Sequence, residues 1–316
     1  MGYRDHLPQL SGDLFLTDGG IETVLIFHEG LDLPAFAAFD LLKDEEGTGQ
    51  LRRYYAPYVA LARERGLGFV LESPTWRASP RWAGELGYDR KQLDGLNRKA
   101  IALLEEIRDE QSADCPPIVI SGCVGPHDDG YSPTELLTVE AAEEYHSTQI
   151  GTFAATAADM VTAITMTYAD EAIGVARAAG KAGLPAAISF TVETDGRLPS
   201  GQALGEAIER VDRETGGSPS YYMINCAHPT HFASVVEDGD GWRERIQGLR
   251  ANASSASHAE LDEADELDAG DPADLGARYA RLHRRLPRLN VLGGCCGTDH
   301  RHVAKIRDAW LASVPE

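Results

Sequence analysis

Long apolar runs are missing from this chain of 316 residues. A transmembrane helix needs about 18 or more consecutive apolar residues, and no such stretch occurs. The first residues also lack the apolar core of a signal peptide. The sequence therefore predicts a cytoplasmic protein that does not act at a membrane.

Lysine is scarce, because only five of the 29 lysine and arginine residues are lysine, while aspartate and glutamate number 50 and the formal net charge is −21. Binding to nucleic acid phosphates requires clustered lysine and arginine, so nucleic acid is excluded as an expected partner. Dense carboxylate with little lysine is typical of proteins that stay soluble in high salt, where screening weakens self-repulsion. A salt-loving source is one hypothesis, and a GC-rich genome that favours arginine and aspartate is the alternative.

Cysteine occurs five times, an odd number that is spread along the chain. This distribution argues against the disulfide framework of a small secreted protein and favours free thiols or metal ligands. Cys115 precedes two prolines and is predicted to be incidental, and Cys123 is predicted to be a small buried apolar residue. The remaining three, Cys226, Cys295 and Cys296, are the candidates for chemistry.

Short apolar runs alternate with longer amphipathic stretches along the chain. Eight runs that read as strands begin near residues 14, 68, 118, 160, 186, 223, 246 and 290. Helical patterns lie between them, at 51–65, 90–108, from Thr138 onward, and at 169–182, 201–211, 273–286 and 299–311. Eight such repeats predict a (β/α)8 TIM barrel that forms a single domain over residues 1–316. An open doubly wound sheet is the alternative, but it would need a G-x-G-x-x-G turn after the first strand, and none is present there.

One segment interrupts this alternation. Residues 254–274 are acidic and hold few bulky apolar side chains. They predict a long loop inserted after the seventh strand, on the face where a barrel gathers its functional groups. A solvated loop without a role and a lid over the site are both open interpretations.

The adjacent Cys295 and Cys296 stand in the string GGCCGT at 293–298, and Cys226 follows the apolar run at 221–225. Neighbouring cysteines rarely bridge each other, but the glycines allow a bend that aims both sulfurs at one metal ion. In a barrel, the ends of the sixth and eighth strands are one strand apart, so Cys226 comes within reach of the pair. Three thiolates with one open position describe a catalytic zinc site, and three buried cysteines without a metal are the alternative.

The string GGCCGT, together with Asn225-Cys226 and the string DGGIET at 18–23, resembles the homocysteine S-methyltransferase family over about Leu14 to Leu311. This family includes enzymes that use S-methylmethionine or betaine as the methyl donor. The resemblance implies a (β/α)8 barrel, in agreement with the strand pattern. It also implies Zn²⁺ as the cofactor, bound by the three cysteines and holding an acceptor thiol in its deprotonated form.

The resemblance assigns further positions to the binding of substrate. These positions are Asp18, Gly19, Glu22, Thr75, Asn225 and Gly294. Glu22 and Asn225 are expected to act by holding the loops around the site, and a carboxylate that satisfies free backbone N–H groups at a helix start is an equal alternative for Glu22. Thr75 and its neighbour Trp76 are expected on the donor side, with packing as the alternative.

One position departs from the family pattern. Where the family has a glutamate near the end of the fourth strand, this chain has Ile164. Isoleucine cannot accept the charge-assisted hydrogen bond of an amino-acid ammonium group, which contributes about 1.5–3 kcal/mol. Either Asp18, Glu72 or Glu193 supplies a substitute carboxylate, or the acceptor is a thiol other than homocysteine.

The sequence thus predicts an enzyme that transfers a methyl group from a small onium donor, such as S-methylmethionine, to a thiol. Homocysteine is the default acceptor and methionine the product. A methyltransferase or demethylase for another thiol and onium pair is one alternative, and a non-catalytic barrel that binds zinc or senses redox state is another. The expected partners are small molecules, with no nucleic acid and no membrane, and the expected state is a monomer or a small homo-oligomer.

Overall fold

Eight parallel strands pair in chain order and close on themselves, so the first strand is bonded to both the second and the eighth. The computed structural model describes residues 2–111, 115–237, 241–264 and 266–313. The strands are β1 Phe15–Leu16, β2 Gly68–Glu72, β3 Ile118–Val124, β4 Met160–Met166, β5 Ala186–Thr191, β6 Tyr221–Asn225, β7 Ile246–Ala251 and β8 Val291–Gly294. The predicted (β/α)8 barrel is confirmed, and the prediction of one domain over residues 1–316 stays a prediction.

The strands were readable in the sequence because every residue of all eight is buried. Parallel strands covered on both faces favour continuous apolar runs over an alternating pattern. The α-helices lie outside the barrel or in its loops. They are α1 Ile21–Thr23, α2 Glu45–Glu64, α3 Pro80–Glu85, α4 Arg90–Asp109, α5 Val139–Ala154, α6 Ala169–Lys181, α7 Leu204–Thr215, α8 Pro229–Phe232, α9 His258–Asp262, α10 Pro272–Leu282 and α11 His300–Ser313.

Capping residues explain where several helices begin. Thr138 caps α5 as predicted, accepting the backbone N–H of Ala141 at 3.3 Å. Helix α2 begins at Glu45, earlier than the predicted 51–65, because Asp44 accepts the N–H of Gly47 at 2.8 Å and starts the helix ahead of its apolar pattern. Helix α7 begins later than the predicted 201–211, since Gly201 has a left-handed backbone with φ of 81°.

Apolar side chains fill the barrel interior on the side of the strand N-termini. A separate buried cluster there includes Phe15, Val70, Val119, Met160 and Met223. This packing leaves the opposite mouth, at the C-terminal ends of the strands, as the place for a cavity. Among the described residues, no helix combines the length and the apolar character needed to cross a membrane.

Candidate functional site

Three cysteine sulfurs converge at this mouth. Cys226 directly follows β6, and Cys295 and Cys296 directly follow β8, with β7 between the two strands. Their Sγ atoms all lie within 4.8 Å of one another. Sulfur donors at this spacing suit a soft metal ion, so the cluster has the donor chemistry that the sequence predicted.

Two of these sulfurs are joined in the structure as the disulfide Cys226–Cys295, while Cys296 stays free, with its Sγ 3.9 Å from that of Cys226. The sequence argument considered only the adjacent pair and did not predict this bridge. Thiols placed to share one metal ion are also near enough to bond to each other. Because a sulfur in a disulfide is not a thiolate ligand, a metal ion could bind all three cysteines only when they are reduced.

The backbone around the cysteines is closely packed, which explains the glycines. A Cβ on Gly293 or Gly294 would collide with the side chain of Thr17 or Thr298. Cys226 itself has a left-handed backbone with φ of 51°, an uncommon conformation for a residue with a Cβ. Its N–H donates to the carbonyl of Arg250 at 3.1 Å, and this contact fixes the direction in which the thiol points.

Solvent reaches Cys296, but the surrounding protein limits hydration of its sulfur. This environment raises the pKa of the Cys296 thiol to about 11, while a hydrogen bond with Tyr131 opposes the rise. The metal-free thiol is therefore protonated near neutral pH. Metal binding would have to displace that proton.

A buried arginine organises the ends of four strands. Arg250 in β7 pairs with Asp18 at 2.7 Å and with Glu72, and it donates to the carbonyl oxygens of Gly19 and Gly294 at 3.0 Å each. Burial raises the pKa of both carboxyl groups, and the charge of Arg250 opposes that rise. Asp18 also accepts a hydrogen bond from the Tyr54 hydroxyl at 2.8 Å.

Asn225 holds a neighbouring strand end in an unusual conformation. Its Oδ1 accepts the backbone N–H of Thr165 at 2.9 Å and the hydroxyl of Ser189 at 2.6 Å. Its Nδ2 donates to Thr165 Oγ1 at 2.9 Å. Thr165 has a left-handed backbone with φ of 67°, and these bonds hold it next to Ile164, while the loop-holding role of Asn225 stays a prediction.

A cavity of about 480 Å³ opens beside the cysteines. The residues predicted from sequence that line it are Asp18, Gly19, Glu22, Glu72, Trp76, Ile164, Cys226, Cys295 and Cys296. Thr75, Glu193, Asn225 and Gly294 are not among its lining residues. Thr75 is fully buried and donates to the Cys123 carbonyl at 2.7 Å, and Glu193 faces His258 at 3.1 Å.

Glu22 is half-buried in the cavity wall. Its carboxylate makes no ion pair or hydrogen bond with any other residue in the described ranges. A hydrogen bond from its own backbone N–H favours the charged form of the carboxylate. Loss of hydration raises the pKa of Glu22 to about 7, and the nearby charge of Asp18 adds to the rise. This side chain differs from Asp18 and Glu72, which share a cation.

Three residues that the sequence argument did not select contact the site. The Tyr131 hydroxyl donates a hydrogen bond to Cys226 Sγ at 3.3 Å, and a ring nitrogen of His258 is hydrogen-bonded to the carbonyl oxygen of Cys226. Arg250 links the strand ends through its ion pairs and hydrogen bonds. Arg250 could have been selected as a charged residue at the end of an apolar strand. Tyr131 and His258 lie in loops, where periodicity carries no signal.

The acidic segment 254–274 lies over the cavity, with residue 265 outside the described ranges. It contains the short helix α9, whose start is fixed by reciprocal hydrogen bonds between Ser257 and Glu260. His258, Leu261 and Leu267 line the cavity from this side. The segment therefore forms part of the cavity wall, which is the arrangement a lid would have.

Comparison with known proteins agrees with the fold. A family model described as homocysteine S-methyltransferase matches residues 15–310. The solved structure of the oxidized form of the homocysteine methyltransferase MmuM from Escherichia coli is 19% identical, with 94% of this chain and 96% of that chain covered and a TM-score of 0.73. The metallated form of MmuM is 18% identical, with 93% and 96% covered and a TM-score of 0.71. No curated protein sequence matches the chain.

Proposed function

Because the chain belongs to the homocysteine S-methyltransferase family and is therefore a methyltransferase, we propose that it transfers a methyl group from a small onium donor to the thiol of homocysteine. S-methylmethionine is the donor we propose, and methionine is the product. The observation that supports this proposal is the cluster of three sulfurs at the edge of a cavity of about 480 Å³, which is large enough for a small molecule.

We further propose that Cys226, Cys295 and Cys296 bind Zn²⁺ in their reduced form. These three thiolates would hold the ion and would leave a coordination position for a substrate. A zinc ion bound by them would lower the pKa of an acceptor thiol and so favour its thiolate at neutral pH. No general base is required during the transfer itself.

The protein contributes positioning and a shielded environment. The lone pair of the acceptor sulfur forms a bond to the donor's methyl carbon as the bond from that carbon to the onium centre breaks, and the donor leaves as a neutral molecule. Trp76 and Tyr131 present aromatic rings to the same cavity as the carboxylate of Asp129. Aromatic faces and carboxylates both favour a cation, so these walls suit an onium donor placed against the sulfurs.

Replacement of Cys226 with alanine tests the ligand assignment. We expect zinc content and methyl transfer to be lost together, as measured by metal analysis and by methionine formation from homocysteine and S-methylmethionine. Cys115→Ala is the matched control, since Cys115 is not among the residues that line the cavity. Stoichiometric zinc in the Cys226 variant would contradict the three-cysteine site. If the wild type binds zinc but methylates no thiol from any onium donor, the enzymatic proposal fails and a zinc-binding barrel replaces it.

The disulfide supports redox sensing as a second candidate function. Oxidation of the two zinc-bound thiolates would form the bond between Cys226 and Cys295, transfer two electrons to an oxidant and remove two zinc ligands. Treatment of zinc-loaded protein with diamide should then release zinc, and a thiol reductant should restore binding. Zinc that stays bound while the disulfide forms would contradict this role.

A further inference from the structure

The ammonium group of homocysteine needs a negative partner within a cavity that limits hydration, because a buried charge is costly unless it is paired. Ile164 lines the cavity and is 8% exposed, but its side chain offers no acceptor. The partner must therefore come from another wall. The contacts of each carboxylate show which one is free for this role.

Most of the carboxylates near the cysteines already have partners. Asp18 and Glu72 share Arg250. Asp129 accepts the backbone N–H groups of Tyr131 at 2.8 Å and Ser132 at 2.9 Å. Glu193 faces His258 and does not line the cavity. Glu266 and Asp268 line it from the exposed acidic segment. Glu22 differs because it is half-buried, lines the cavity and has no partner among the other described residues.

The backbone on either side of Glu22 is fastened to the cysteine loop. The N–H of Gly20 donates to the Thr298 carbonyl at 3.1 Å, and the Thr23 hydroxyl accepts the N–H of Gly297 at 3.0 Å. A Cβ on Gly20 would collide with the carbonyl oxygen of Cys295, so the two loops are in direct contact. The backbone that carries Glu22 is therefore held against the cysteine loop, and the Glu22 side chain lines the same cavity as the three cysteines.

We propose that Glu22 binds the α-ammonium group of the acceptor amino acid and makes this site selective for homocysteine over thiols that lack that group. This inference rests on the proposed function and specifies which residue recognises the acceptor. The sulfur of the acceptor lies at the cysteine cluster, and the ammonium lies against Glu22 on the adjoining loop. An unpaired carboxylate in a poorly hydrated wall gains a charge-assisted hydrogen bond when the ammonium arrives.

The test compares homocysteine with 4-sulfanylbutanoate, which has the same carbon chain, thiol and carboxylate but no ammonium group. Binding of each to the zinc-loaded protein is measured by calorimetry for the wild type and for Glu22→Gln. Glutamine keeps the shape of the side chain and removes its charge. Glu29→Gln is the matched control, because Glu29 lies in the same segment but is exposed and outside the cavity. Zinc content is measured for every variant.

We expect Glu22→Gln to weaken homocysteine binding by about 10- to 100-fold, the loss of one charge-assisted hydrogen bond. Binding of 4-sulfanylbutanoate should change by less than about threefold, because it makes no contact that depends on this charge. In the methyl-transfer assay the loss should appear mainly as a higher KM for homocysteine. Glu29→Gln should behave as the wild type with both thiols.

Three results would overturn the assignment of Glu22. One is an equal loss of affinity for both thiols, which would indicate that Glu22 supports the sulfur site as a whole. The second is unchanged homocysteine affinity in Glu22→Gln, and the third is a wild type that binds both thiols equally well. If the wild type prefers homocysteine through Glu22 but transfers no methyl group, the proposed function fails while the assignment of Glu22 stands.

Discussion

Removal of Arg250 should destabilise this protein more than removal of any surface arginine. Arg250→Met leaves Asp18 and Glu72 buried without their shared cation and removes one donor from each of the Gly19 and Gly294 carbonyl oxygens. Loss of one partner from a buried ion pair typically costs about 3–5 kcal/mol. Methionine has a similar length, so the change removes charge and hydrogen bonds and keeps most of the packing.

The loss of unfolding free energy in Arg250→Met should depend on pH. The protonation of Asp18 and Glu72 decides whether the loss is larger at high or at low pH. Burial already raises the pKa of Asp18 and Glu72, and loss of Arg250 removes the positive charge that opposes that rise and leaves only hydrogen bonds, such as those from Tyr54 and Thr162, to oppose it. A carboxyl group with a raised pKa binds more protons in the folded state than in the unfolded state, so its cost in stability grows as pH rises and shrinks as pH falls. When the pH is lowered from 8 to 5.5, the difference in unfolding free energy between wild type and Arg250→Met should shrink. Each carboxyl group that stays protonated in the folded variant should contribute up to about 3.4 kcal/mol to this decrease.

Urea unfolding followed by circular dichroism measures this effect at pH 8 and at pH 5.5, with wild type and variant compared at each pH. Arg98→Met is the matched control, because Arg98 and Asp94 form an exposed pair within one helix, at 2.8 Å. Such pairs contribute about 0.5 kcal/mol or less. A deficit for Arg250→Met below about 1 kcal/mol, or one that stays the same at both pH values, would refute the reasoning.

Two further predictions concern the metal site and the charge of the chain. Tyr131→Phe removes the hydrogen bond to Cys226 Sγ. We expect the affinity for zinc, measured by competition with a chelator, to fall by about tenfold. An unchanged Kd for zinc would show that this hydroxyl does not support the site. The net charge of −21 should make the thermal midpoint rise when molar KCl is added, because salt screens the repulsion between surface carboxylates. Full stability in dilute buffer would contradict the hypothesis of a salt-loving source.

The sequence was sufficient to predict the barrel and the meeting of the cysteines, for a physical reason. Strands buried on both faces have apolar sequences, and a closed parallel barrel brings strand ends together, so Cys226 and the pair after β8 could be placed without coordinates. Helix α2 was predicted too short because its first turn is held by the side chain of Asp44 rather than by an apolar stripe.

What the sequence could not provide was the pairing of charges at the mouth. From the sequence, Asp18, Glu72 and Glu193 were equally good candidates for the substitute carboxylate. The structure shows that Asp18 and Glu72 share Arg250 and that Glu193 faces His258. The contacts of Tyr131 and His258 depend on how two long loops fold back over the barrel. Loop conformation is set by these tertiary contacts and leaves no periodic signal.

The shortness of β1 has a consequence for the order in which this protein folds. Phe15 and Leu16 pair with β8, and the flanking Thr17 and Asp18 add one backbone hydrogen bond each, with Leu292 and Gly294. The side chain of Arg250 also links β7 to the residues that follow β1, to β2 and to β8. Contacts between segments so far apart in the chain form late, because a long loop must close before they yield any stabilisation. Cys226 and Cys295 come together through the pairing of β6, β7 and β8, which does not require the β1–β8 closure. Metal loading of this chain would therefore report that its last three strands have paired, and a chain that stops before β8 would carry only part of the ligand set.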